Sequence, residues 1–128
     1  MESKTEARGG RLTEAFRGRT KRFASSVIRL FVRLPKAREE VRTLGKQLLR
    51  SGTSVAAHVR EASRARSAEE FASKLGGALQ EADESALWLE LLREDCGIEP
   101  VLTQPIEAEA SELIAIITSM INRTRNPR

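Results

Sequence analysis

A chain of 128 residues is long enough to bury one hydrophobic core, and 40% hydrophobic with 31% charged residues excludes a disordered polymer. The absence of tyrosine, an aromatic share of 4% and only 4 prolines argue against a β-sandwich or barrel and for helix. One cysteine, Cys96, and one histidine, His58, exclude an internal disulfide and a Cys/His zinc site, so a reducing compartment is expected and no metal or other cofactor.

The expected fold class is all-α, an antiparallel up-and-down four-helix bundle spanning residues 11–125 between tails at 1–10 and 126–128. Residues 1–10 are polar and lack the roughly 7–15-residue apolar run of a secretory signal. The most apolar stretch, 113–121, contains Thr118 and Ser119 and falls far short of the ~20 apolar residues that span a bilayer. A cytoplasmic location without membrane contact follows as an expectation.

A first helix is predicted over 11–34, where Leu12, Phe16, Phe23, Val27, Leu30 and Leu34 form a heptad stripe with one polar seam position near Arg19 and Thr20. Pro35 ends it. A second, over 36–64, carries Val41, Leu44, Leu48, Val55, Val59 and Ala62, with Ser51 or Gly52 in the missing seam position. Gly45 and Gly52 lie seven apart, and a glycine inside a helix costs about 1 kcal/mol relative to alanine, so the pair is read as a face where another backbone comes close. The third, over 68–96, opens with the capping box Ser67-Ala68-Glu69-Glu70 and repeats Phe71, Leu75, Ala78, Ala82, Ser85, Leu89 and Leu92 until Gly97. A second apolar line, Leu79, Ala86, Trp88 and Leu91, predicts that this helix is the most buried and also faces another subunit. The fourth, over 105–124, is expected to start at Pro105 and to carry Ala110, Leu113, Ile117 and Met120.

The net charge of +4 hides a division of the chain. Residues 1–66 hold 17 Lys/Arg against 6 Asp/Glu, whereas residues 67–128 hold 5 against 12. The first half is therefore basic by 11 and the second acidic by 7. Either the two halves neutralise each other, or the basic side faces a polyanion. Arg17, Arg19, Lys21, Arg22, Arg29 and Arg33 crowd the first helix, and Arg50, Arg60, Arg64 and Arg66 follow on the second and just beyond it. They make a candidate surface for RNA or DNA phosphates, and the scarcity of aromatics limits it to electrostatic, sequence-tolerant binding.

Catalytic signatures are weak. His58 and Glu61 stand three apart, but a carboxylate-bridged di-metal bundle needs Glu-x-x-His on two helices, the reverse order, and further glutamates. Glu81, Asp83 and Glu84 are expected to pair with arginines of helix two or of a neighbouring subunit rather than to act as acid and base. Cys96, at a helix C-terminus, is expected to be inert because the dipole raises its thiol pKa. No enzymatic activity is expected.

The stretch Arg50-Ser51-Gly52-Thr53-Ser54-Val55-Ala56-Ala57-His58-Val59-Arg60-Glu61-Ala62, then Arg64-Ala65-Arg66-Ser67, resembles the bacterial four helix bundle protein family, also called the 23S rRNA intervening-sequence proteins. Phe71, Lys74-Leu75-Gly76, Glu81-Ala82-Asp83-Glu84-Ser85 and Trp88-Leu89-Glu90-Leu91-Leu92 look like its third helix, and Leu34-Pro35 with Gln47-Leu48 like its lead-in. The resemblance covers about residues 20–125 and marks Ser54, His58, Glu61, Glu81, Glu84 and Trp88 as motif positions. The chain departs from the family at His58, where asparagine is usual, and at Val59, where the closest branch often has an aromatic. What the resemblance implies is an up-and-down bundle assembling as a homopentamer without enzymatic activity. Some members are encoded inside ribosomal RNA genes, and distant relatives are basic pentameric accessory proteins of diversity-generating retroelements, which adds a reverse transcriptase to the candidate partners. Two readings stand: a homo-oligomeric accessory protein whose basic helices bind nucleic acid or a nucleic-acid-processing partner, and a protein scaffold without nucleic acid.

Overall fold

The computed structural model describes residues 12–127, so the predicted tail at 1–10, the first residue of the predicted bundle and Arg128 lie outside the described residues. Four helices follow one another: α1 (Glu14–Arg33), α2 (Glu39–Ala62), α3 (Ala68–Glu94) and α4 (Pro100–Arg125), with no strand among the described residues.

Local chemistry explains the boundaries. Thr13 caps α1, its hydroxyl accepting from the Phe16 N–H at 3.3 Å, so the helix starts three residues later than its apolar stripe suggests. Leu34, forced out of the helical region by Pro35, ends α1 in extended conformation. The Lys36 ammonium then donates to the Phe31 and Leu34 carbonyls at 2.7 and 2.8 Å, which engages residue 36 as a cap of α1 and delays α2 to Glu39. Ser67 caps α3 by accepting from the Glu70 N–H at 3.0 Å, while Glu70 reaches back to the Arg66 N–H at 2.8 Å, one residue before the position a capping box usually serves. Gly97 adopts φ 72°, a left-handed turn suited to glycine, and ends α3.

The largest departure from expectation is α4, which opens at Pro100 and runs through Pro105. Pro100 takes the first-turn position where its missing N–H costs nothing. Pro105 forfeits one bond, to the Val101 carbonyl, and the exposure of Val101 keeps that carbonyl out of the core.

The helices alternate in direction. Gly45 of α2 lies against Leu34 and Phe31 of α1, and Gly52 against Val27, so one chain rises as the other descends. Ser51 pairs with Ser85, and His58 lies on Gly77, which gives the same antiparallel sense for α2 and α3. The start of α3 meets Thr124 and Arg125 at the end of α4. The two glycines mark a close approach of side chains rather than of the expected backbone: a Cβ at Gly52 would come within 2.8 Å of the Val27 side chain and one at Gly45 within 2.9 Å of that of Leu34. Phe71, Leu75, Ala78, Ala82 and Leu89 are all in the core. The expectation that α3 is the most buried helix is not met, because α2 buries as many residues in a shorter span, its glycines and Ser51 included.

The polar seam position of α1 is Thr20, buried with its hydroxyl donating to the Arg17 carbonyl at 3.0 Å. The Ser51 and Ser85 hydroxyls, 2.7 Å apart, satisfy each other between α2 and α3.

Candidate nucleic-acid interface

The acidic half of the chain meets the basic half at two seams, and each engages an arginine of the candidate surface. Along α2 and α3, Arg50 donates to Glu84 at 3.0 Å and to Glu81 at 3.3 Å. Two to three turns further along, Lys74 of α3 reaches Glu61 at 3.4 Å, and His58 Nδ1 stands 3.7 Å from the same carboxylate. Between α1 and α4, Arg19 makes a two-pronged contact with Glu109 at 2.7 and 2.9 Å, with Glu112 3.8 Å away. The hydrogen bonds to Glu109 raise the Arg19 pKa against the effect of burial. Arg19 and Arg50 are therefore engaged by carboxylates within the bundle, unlike the other cations of the candidate surface.

No described carboxylate forms an ion pair with Arg17, Lys21, Arg22, Arg29, Arg33, Arg60, Arg64 or Arg66. The structure sorts them by place. Arg17 and Lys21 of α1 join Arg60 and Glu61 of α2 and Arg64 just past its end, with Ala56 and Ala57, around an open cleft of about 410 Å³. Arg22, Arg29 and Arg33 fall on the other flank of α1 by helical period, away from α2. Arg66 lies at the α2–α3 turn, where it borders a shallow depression with Lys74, Arg125, Glu69 and Glu70.

In the cleft, Arg17 Nη1 donates to the Leu12 carbonyl at 2.7 Å, which fixes the guanidinium. Glu61, the one carboxylate in the lining, is drawn toward Lys74 and His58 on the α3 side. The contacts of Gly45 with Leu34 and of Gly52 with Val27 set a register that brings Arg17 near Arg64 and Lys21 near Arg60. Glu109 and Glu107 tie α4 to Arg19 and Arg93.

The motif positions gather on the α2–α3 seam instead. Glu81 and Glu84 hold Arg50, Glu61 meets Lys74, and Ser54 is half-buried beside them on α2. The His58 ring lies beside Gly77, where an added Cβ would come within 3.0 Å of Nδ1. Trp88 packs against the core, and its Nε1 finds no acceptor among the described residues. Cys96 is buried, and burial, then the Glu40 carboxylate, push its thiol pKa up.

The model of the family described as 23S rRNA-intervening sequence protein matches residues 16–119, most of the chain. The chain belongs to this family. A crystal structure of a protein of unknown function from the S23 ribosomal protein family of Bacteroides thetaiotaomicron is similar, with 33% identity over 82% of this chain and 96% of that one, and a TM-score of 0.75. No curated protein matches the chain. In the 23S rRNA-intervening sequence fold as this chain builds it, the motif residues bind helix to helix, and the unpaired cations lie on α1 and the outer side of α2. No helix among the described residues is long and apolar enough to cross a membrane.

Proposed function

We propose that this chain is a non-catalytic, homo-oligomeric cytoplasmic accessory protein whose α1–α2 side binds nucleic acid, RNA or DNA, alone or together with a protein that processes it, such as a reverse transcriptase. The observation that carries the reading is the partition of ion pairs. The acidic half neutralises Arg19 and Arg50 and leaves the cations of α1 and of the C-terminal part of α2 without carboxylate partners among the described residues. Unpaired cations on one side of a small protein favour contact with phosphates, whose counterions are released on binding. The family's name, which refers to 23S rRNA, points the same way.

A second observation supports assembly, most simply into a ring of five as the family resemblance implies. Leu87 is 46% exposed, and Trp88 and Leu91 beside it on α3 are only partly covered. A contiguous apolar surface of this kind is usually covered by a partner. A ring would repeat the basic side and turn weak single contacts into avidity. A scaffold that binds protein alone would use the same apolar face and leave the cations idle.

A titration of labelled RNA and DNA separates the two readings. Binding near 50 mM salt that weakens steeply toward 200 mM is expected for phosphate contacts. Absence of binding at the lower salt leaves the protein scaffold as the function. Light scattering is expected to return a multiple of 14.2 kDa, near five, and the mass of one chain would remove the oligomer.

A further inference from the structure

We propose that the α1–α2 cleft is a track for the sugar–phosphate backbone of one nucleic-acid strand, gripped at two successive phosphates and not read at its bases; this rests on the nucleic-acid reading above. Arg17, Lys21, Arg60 and Arg64 line the cleft, and the antiparallel register of α1 and α2 places Arg17 near Arg64 and Lys21 near Arg60 as two rungs of cations. On α1 the two cations stand four residues apart, about 6 Å along the axis and comparable to the distance between neighbouring phosphates of a strand, while Arg64 lies in the turn just past the end of α2 that carries Arg60. Each rung brings two cations to one phosphate.

The surroundings favour an anion. Glu61, the one carboxylate in the lining, is engaged with Lys74 at 3.4 Å and forms no ion pair with the four cations, which outnumber it. Arg17, held by the Leu12 carbonyl at 2.7 Å, keeps its remaining N–H groups for a ligand and gives up little side-chain freedom on binding. The floor is built from Ala57 and its neighbour Ala56, whose short side chains keep the cleft open between the flanking cations. No aromatic side chain lines it, so stacking, the usual means by which a single-strand site engages bases, is absent from this cleft. A site of this composition takes phosphodiester from RNA and from DNA alike.

The test uses the full-length chain with labelled oligo-U and oligo-dT at low salt. Two double variants remove equal charge from different places: Lys21→Gln with Arg64→Gln in the cleft, and Arg29→Gln with Arg33→Gln on the opposite flank of α1. A third, Ala57→Leu, fills the cleft without changing charge, at an exposed helical position that tolerates leucine. The expected result is a loss of roughly tenfold or more for the cleft variants on both strands, and a clearly smaller loss for the flank pair, at unchanged melting temperature. Equal losses from the two charge pairs, with Ala57→Leu silent, would overturn the track while leaving nucleic-acid binding in place. No binding by the unaltered protein would overturn both. A preference of tenfold or more for one strand type would contradict a backbone-only site.

Discussion

The two grooves that flank α2 are both lined by charge and treat it in opposite ways. On the α3 side, Arg50 is held by Glu81 and Glu84, and Glu61 meets Lys74, so the seam is close to neutral and closed. On the α1 side, Arg60 and Arg64 line the cleft with Arg17 and Lys21, and no described carboxylate pairs with any of the four. Arg50 and Arg60 are the same residue type on the same helix, ten positions apart. The face each one occupies, not its charge, decides whether it is spent inside the bundle or free for a ligand.

That contrast can be broken or sharpened at several strengths. The largest effect is expected from the core common to both grooves: Leu89→Ala should cost about 2–5 kcal/mol in denaturant unfolding, since Leu89 is fully buried. A loss no larger than that of a surface variant would show the stripe to be misassigned. Next come two glycines on opposite sides of the comparison. Gly52→Ala places a methyl within 2.8 Å of Val27, a branched core side chain that cannot swing away, so destabilisation of about 1–3 kcal/mol is expected. Gly76→Ala meets nothing within 4 Å and should stabilise α3 by about 0.5–1 kcal/mol. Shifts of the same sign in the two melting curves would contradict the close α1–α2 approach that shapes the cleft.

A smaller effect concerns the α3–α4 pair. Arg93 donates to Glu107 at 2.9 and 3.0 Å, and that hydrogen bond, opposed by burial, holds the Glu107 carboxyl below the usual glutamate range. The folded state therefore favours the ionised form. Its contribution is fully present above the pKa of an unfolded glutamate and disappears as pH falls through the lower folded value. Glu107→Gln should lower stability slightly at neutral pH and flatten its decline on acidification; parallel pH profiles for the two proteins would contradict the pairing.

How much of this was legible in the sequence differs by level. The heptad stripes, Pro35 and the Ser67 cap place α1, α2 and α3 because each acts through neighbours within a few residues. The start of α4 was not legible, since Pro105 looks like a first-turn residue by local rules, whereas the helix opens one turn earlier at Pro100 and runs through it at an exposed stretch that includes Val101. The basic half was visible as a sum, and the sum placed Arg19 and Arg50 beside Arg17 and Arg60. What separates them is long-range pairing with Glu109, Glu81 and Glu84, which exists only once helices are in register. The motif positions were recognisable, but their work as an interhelical seam needed the contact of His58 with Gly77 and of Arg50 with the two glutamates to be seen.

The most direct measurement of the central claim is the slope of binding affinity against salt for labelled single-stranded nucleic acid, compared between Arg60→Ala and Arg50→Ala. Both variants remove one positive charge from α2. If Arg60 contacts phosphate and Arg50 is spent on Glu81 and Glu84, the slope should become shallower by about 0.7 for Arg60→Ala and stay unchanged for Arg50→Ala. Equal slopes in the two variants, or a larger change from Arg50→Ala, would contradict the account.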